Sequence, residues 1–219
     1  MTAATALRAC RLYGIVDLGY VSASSVTRVA REMIAGGVGV IQLRGKDRTV
    51  AGLTSLASEL HEVTSGGGVP LIVNDHPEIA RAVGAEGVHV GQDDISIQEA
   101  RAAAGPGCLV GKSTHSESQA LAAVTEGADY IGFGPVFATP TKPTYSPIGL
   151  SEIERVHRAV SVPIFCIGGI KLQNLPEVIA AGAQRVVIVS GLLQASDIAD
   201  HARAAQGLLN SKSSIENRK

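Results

Sequence analysis

The chain reads as a single-domain α/β protein, a (β/α)8 TIM barrel, on three observations. Apolar strand patterns alternate strictly with helical patterns, eight times along the chain. The helix-to-strand turn recurs in related form as GAEGV at 84–88, GADYI at 127–131 and GAQRV at 182–186. Of 219 residues, 45% are hydrophobic but only 3% aromatic, with no Trp. Small aliphatic residues suit parallel strands buried on both faces by helices. The length is ordinary for such a barrel, and eight units favour closure over an open doubly wound sheet.

In chain order, the apolar runs predict strands near 12–17, 38–44, 70–74, 87–91, 109–112, 130–134, 163–168 and 185–189. The intervening helices are expected near 24–35, 51–64, 77–83, 97–103, 117–126, 151–160, 174–181 and 198–209. Several end in glycine, at 36–37, 84, 105, 127 and 182, where a left-handed cap is expected. Ser116 with Gln119 fits a capping box at the start of one helix. Residues 1–10 are read as an N-terminal extension, 11–209 as the barrel and 210–219 as a polar, disordered tail.

Composition also excludes functions. A net charge of −1 with no basic tract argues against nucleic acid and acidic membranes as partners. No run approaches the roughly 18 apolar residues of a membrane span, and MTAATALRACR lacks an apolar signal core, so a cytoplasmic location is expected. Cys10, Cys108 and Cys166 are odd in number and have no C-x-x-C spacing, so no disulfide frame or zinc ribbon is suggested; Cys166 reads as an inert core thiol.

The stretch LIVNDHPEIARAVGAEGVHVGQDD at 71–94 forms one βαβ unit. Its parallel strands bring Asp75 and Asp94 to the same C-terminal edge, where they can share a hard cation such as Mg2+ with substrate phosphates. Alternatively, each acid merely caps the following helix. On strand 2, Gln42, Arg44 and Lys46 share one face while Ile41 and Leu43 take the other. The apolar pair belongs against helices, which sends the polar three toward the barrel mouth. There they need anionic company: an ion pair with Asp75 or Asp94, or a bound diphosphate.

The segment 136–149 carries prolines at 140, 143 and 147 and follows strand 6, so it belongs on the face where barrels keep their active sites. Its Thr139, Thr141 and Lys142 make a candidate anion loop. Gly168-Gly169 after strand 7 and Val189-Ser190-Gly191 after strand 8 form the pair of loops that barrels often use for phosphate. Ser113 at the tip of strand 5 can hydrogen-bond a ligand, and His115 can serve as an acid-base group. His89 reads as a core histidine, and His61, His157 and His201 as solvated helix residues; no Ser-His-Asp or Cys-His arrangement stands out.

Together QLRGK, Asn74-Asp75, GVHVGQDD, Ser113, TPTK at 139–142, IGGI and VSG resemble thiamine-phosphate synthases, in the family's order and from Leu12 to about residue 209. The resemblance implies a transferase that joins an aminopyrimidine-methyl diphosphate to hydroxyethylthiazole phosphate, or its carboxylate form, releasing diphosphate. It implies that Gln42, Arg44, Lys46, Asn74, Ser113 and Lys142 hold the pyrimidine diphosphate, with Arg44, Lys46, Ser113 and Lys142 catalytic. Asp75 and Asp94 would bind Mg2+, and Thr139, Thr141, Gly169, Val189 and Ser190 the thiazole phosphate. A sister branch of thiazole tautomerases places a histidine where His115 stands, and a non-catalytic phosphate-binding barrel is a third reading. Barrels of this type often form homo-oligomers, but no interface patch is legible.

Overall fold

The computed structural model describes residues 1–139 and 146–216. Eight parallel strands close into a barrel in sequence order: β1 Leu12–Asp17, β2 Val40–Arg44, β3 Leu71–Asn74, β4 Gly87–Val90, β5 Leu109–Thr114, β6 Tyr130–Phe133, β7 Ile164–Cys166 and β8 Val186–Ile188. The helices are α1 Ala3–Ala9, α2 Val26–Ala35, α3 Val50–Gly66, α4 Pro77–Val83, α5 Ile97–Ala104, α6 Glu117–Thr125, α7 Ser151–Ala159, α8 Leu175–Ala180, α9 Ser190–Leu193 and α10 Ile198–Glu216. No described helix is long and apolar enough to cross a membrane.

Local chemistry sets the helix ends. Ser96 and Glu99 form a reciprocal capping box at α5, and Gly84 closes α4 in the left-handed conformation at φ 74°. Ser116 accepts the Gln119 N–H at α6, but the expected box is only half made. The Gln119 side-chain Oε1 instead accepts from the His115 N–H, one residue earlier. Two helices lie outside the predicted set. α1 forms inside the N-terminal extension, and its Leu7 packs with Cys10, Tyr13, Val40, Leu109 and Phe165 to close the N-terminal end of the barrel. The short α9 follows β8 directly. α10 continues through Glu216, beyond the 209 limit read from sequence.

The core has two layers. Ile41, Leu43, Val73, Val88, Val110 and Ile131 face outward against the helices, as the alternation on strand 2 requires. Inside, three aromatic residues meet: Tyr13, Tyr130 and Phe165 pack edge-on or tilted, with centroids 5.3 to 6.2 Å apart. Gly111 makes room for them, because a Cβ there would lie 2.1 Å from Tyr130 Cζ. The interior therefore alternates large rings with glycine, filling a taper that aliphatic residues alone would leave loose.

Candidate active site at the C-terminal mouth

Strand register brings the site together. Asp17 pairs with Arg44, Ile15 with Gln42, Asn74 with His89 and Ser113 with Gly132, all at the C-terminal half of the barrel. One cavity is lined by Gln42, Arg44, Asn74, Ser113, Thr139, Gly169, Val189 and Ser190, each of them a residue singled out in the sequence. Thr141 and Lys142 lie outside the described residues. Lys46, Asp75 and Asp94 gather at the rim, with Lys46 Nζ 3.6 Å from Asp75 Oδ2.

The rim carboxyls are coupled. Burial, then the hydrogen bond and charge of Asp94, hold the Asp75 carboxyl above the ordinary range against the pull of Lys46. Burial also pushes Asp94 up, but the Gly91 N–H, the Asp75 carboxyl and the charges of Lys46 and Lys112 outweigh it and hold it low. The neighbouring carboxyls thus shift in opposite directions, Asp75 up and Asp94 down. Among the described residues no group of three or more His, Cys, Asp or Glu is placed to hold a metal ion; two carboxylates are a donor set that Mg2+ can share with substrate phosphates. Asp75 is also the one described non-glycine residue in left-handed backbone, at φ 64°, fixed by its N–H to the His89 carbonyl at 2.9 Å. That conformation costs about 1 kcal/mol and aims the side chain along the rim.

Arg44 does not pair with Asp75 or Asp94. Its Nη1 donates to Asp17 Oδ2 at 2.6 Å, and Asp17 Oδ1 accepts the Gly19 N–H at 2.9 Å. Below this pair runs a chain of hydrogen bonds across the cavity floor. Gln42 Nε2 donates to the Tyr13 hydroxyl at 2.9 Å, which meets the Tyr130 hydroxyl at 3.3 Å. Tyr130 meets His89 Nδ1 at 3.2 Å, and His89 Nε2 meets Ser113 Oγ at 2.9 Å. Burial pushes the Tyr13 and Tyr130 hydroxyls well above their ordinary value, so both stay protonated. On the far side, Asn174 Nδ2 holds the Gly169 carbonyl at 2.9 Å. Gly168 and Gly169 have a second reason to be glycine: a Cβ would strike Pro135 at 2.4 Å and Phe137 at 2.7 Å.

A family model described as thiamine monophosphate synthase matches residues 12–192. The chain belongs to that family. The thiamine-phosphate synthase of Chloroflexus aurantiacus is 43% identical over 201 residues, covering 91% of this chain and 93% of the relative. That of Shouchella clausii is 41% identical over 200 residues, covering 91% and 94%. Among solved structures, the thiamine phosphate pyrophosphorylase from Pyrococcus furiosus superposes with a TM-score of 0.84 at 29% identity, covering 92% of this chain and 96% of that one. A 3-hexulose-6-phosphate synthase, at 19% identity and TM-score 0.65, shares the fold alone.

For this family member, sequence reasoning missed Asp17, Tyr13 and Tyr130. The signal was present. Tyr13, Ile15 and Asp17 alternate inward by the same period of two that placed Gln42 and Arg44. His89 is a core histidine as read, but it also lines the cavity. His115 does too, with Nδ1 bound to the Gly134 carbonyl. His61 and His157 are not simply solvated: His61 Nε2 meets Glu86 at 3.2 Å, and His157 Nδ1 meets the Ile153 carbonyl at 2.8 Å. The His61 partner lies between α4 and β4, whereas His157 turns back onto its own helix.

Proposed function

We propose that this chain is a thiamine-phosphate synthase. It transfers the aminopyrimidine-methyl group from its diphosphate to the ring nitrogen of hydroxyethylthiazole phosphate, or of its carboxylate form. The observation that carries the reading is the gathering of Lys46 and the coupled Asp75/Asp94 carboxyls at the rim of a cavity whose wall holds Arg44. Arg44 and Lys46 bind the diphosphate end, with Asp17 pre-aiming the Arg44 fork so that little reorganisation is left for the reaction. Asp75 and Asp94 would hold Mg2+, which supplies neutralisation of charge on the departing diphosphate.

Asn74 makes no side-chain hydrogen bond among the described residues and is free to meet the pyrimidine diphosphate, as is the outward side of the Ser113 hydroxyl. The carbon–oxygen bond to diphosphate breaks with its electron pair leaving on oxygen. The thiazole nitrogen lone pair then forms the carbon–nitrogen bond, with its phosphate near Thr139, Gly169, Val189 and Ser190. A dissociative path of this kind needs charge stabilisation and no strong general base. Lys142 and Thr141 would complete the two anion sites. The tautomerase alternative leaves the rim carboxyls without work.

The test is formation of thiamine phosphate and diphosphate together from the two substrates, with and without Mg2+. Metal-dependent appearance of both products is expected, lost in Arg44→Ala and Asp75→Ala. Full coupling activity in either variant overturns the reading.

A further inference from the structure

At the end of the barrel away from the candidate active site, α1 and the start of β1 meet α7, the α8–β8 turn and α10 around a groove of about 680 Å3. The titratable side chains facing it are Arg8, Arg11, Glu154, His157, Arg158 and Arg185. Arg158 already neutralises Glu154 along α7. Arg8, Arg11 and Arg185 make no ion pair among the described residues.

Two of these guanidiniums are held in place by backbone. Arg11 Nη1 donates to the Leu209 carbonyl at 2.8 Å, and Arg185 Nη2 to the Arg8 carbonyl at 2.9 Å. Those bonds tie the start of β1 to α10 and the start of β8 to α1, which accounts for part of the cluster structurally. They do not account for Arg8, whose side chain bonds nothing among the described residues. Nor do they account for the Arg185 Nε, which is buried and has no acceptor among them. Burial, and then the charges of Arg11 and Arg8, depress the Arg185 guanidinium against the opposing effect of Cys10.

We infer that this groove is a second anion site, built for a compact ligand carrying two or more phosphates. Guanidinium forks match phosphate oxygens in pairs, and a single carboxylate would leave most of the three cations unmet. The groove is of the size that small ligands occupy. A bound di- or triphosphate would draw α1, the element that closes the barrel floor, against α7 and the start of β8. Inorganic diphosphate and a nucleoside triphosphate both supply this chemistry.

The site is independent of the function proposed above, although that reading also gives the mouth an affinity for diphosphate; Arg44→Ala separates the two. The experiment is calorimetric titration of the full chain, in EDTA, with inorganic diphosphate and separately with ATP. Binding is expected to persist in Arg44→Ala. It should fall about tenfold in Arg8→Gln, and further in Arg8→Gln/Arg185→Gln, each lost charged contact being worth about one decade. Arg8→Gln removes a group bonded to nothing in the described chain, so it leaves melting temperature and coupling activity unchanged. Equal affinities for the two anions mean that the groove reads phosphates alone, and tighter ATP binding means that it reads the nucleoside as well. Binding that vanishes in Arg44→Ala, or that ignores Arg8→Gln, overturns the inference. So does self-association abolished by Arg8→Glu with neither anion bound, because the groove would then belong to a second copy of the chain.

Discussion

Replacing Asp17 with Ala tests whether the mouth is organised as described. The carboxylate lies 2.6 Å from Arg44 Nη1, with side-chain exposures of 3% and 17%. Breaking a buried pair by removing one partner costs about 3–5 kcal/mol. Arg44 keeps some contact with water at the mouth, so the lower end applies, about 3 kcal/mol. The Gly19 N–H loses its acceptor in a part-exposed turn, adding about 0.5–1 kcal/mol. For a chain of this length each kcal/mol shifts Tm by about 2–4 °C, so the fall should be roughly 10 °C. Urea unfolding of Asp17→Ala, Arg44→Ala and the double variant, followed by circular dichroism, completes a thermodynamic cycle. A coupling energy of about 2 kcal/mol is expected for a charge-assisted bond with this burial. Additivity within about 0.5 kcal/mol would refute the argument that Asp17 holds Arg44.

Three further outcomes are expected. Gly111→Ala should displace the Tyr130 ring and its bonds to Tyr13 and His89, costing about 3–4 kcal/mol and altering the near-ultraviolet tyrosine signal; an unshifted Tm would contradict the packing of the barrel interior. Asp94→Asn should raise the Mg2+ concentration for half-maximal coupling at least about tenfold, and an unchanged metal requirement would remove Asp94 from the metal site. Burial raises Cys10 and Cys166 to about 12 and Cys108 to about 11, so none should react with iodoacetamide at pH 8 until the chain unfolds. Because these folded values lie above the ordinary 9.0, the thiols' contribution to stability is whole below pH 9 and is lost as pH rises toward 12; rapid labelling of the native chain at pH 8, or stability that does not fall over this alkaline window, would contradict it.

Much of the site was legible because two short-range rules suffice. Alternation along β2 places Gln42 and Arg44 inward, and parallel βαβ connection puts Asp75 and Asp94 at one edge whatever the details of packing. The same alternation on β1 gives Asp17, but a lone Asp after an apolar run looks like an ordinary turn residue until its register partner is known. Arg44 could have met any of three carboxylates; only the β1–β2 register, Asp17 opposite Arg44, selects one. The hydrogen-bond chain from Gln42 to Ser113 was not legible at all, because its members lie on five different strands and meet only when the barrel closes.

The sequence alone therefore determined the number and order of βα units, their common polarity and which end of the barrel gathers the polar residues. These follow from periodicity and turn chemistry, properties of neighbours along the chain. Tertiary structure decided which charge meets which, why the Tyr130 ring lies inside against Gly111, and how α1 closes the floor beside a cluster of arginines. Those depend on register, closure and burial, which exist only once strands distant in sequence lie 5 Å or so apart across the sheet.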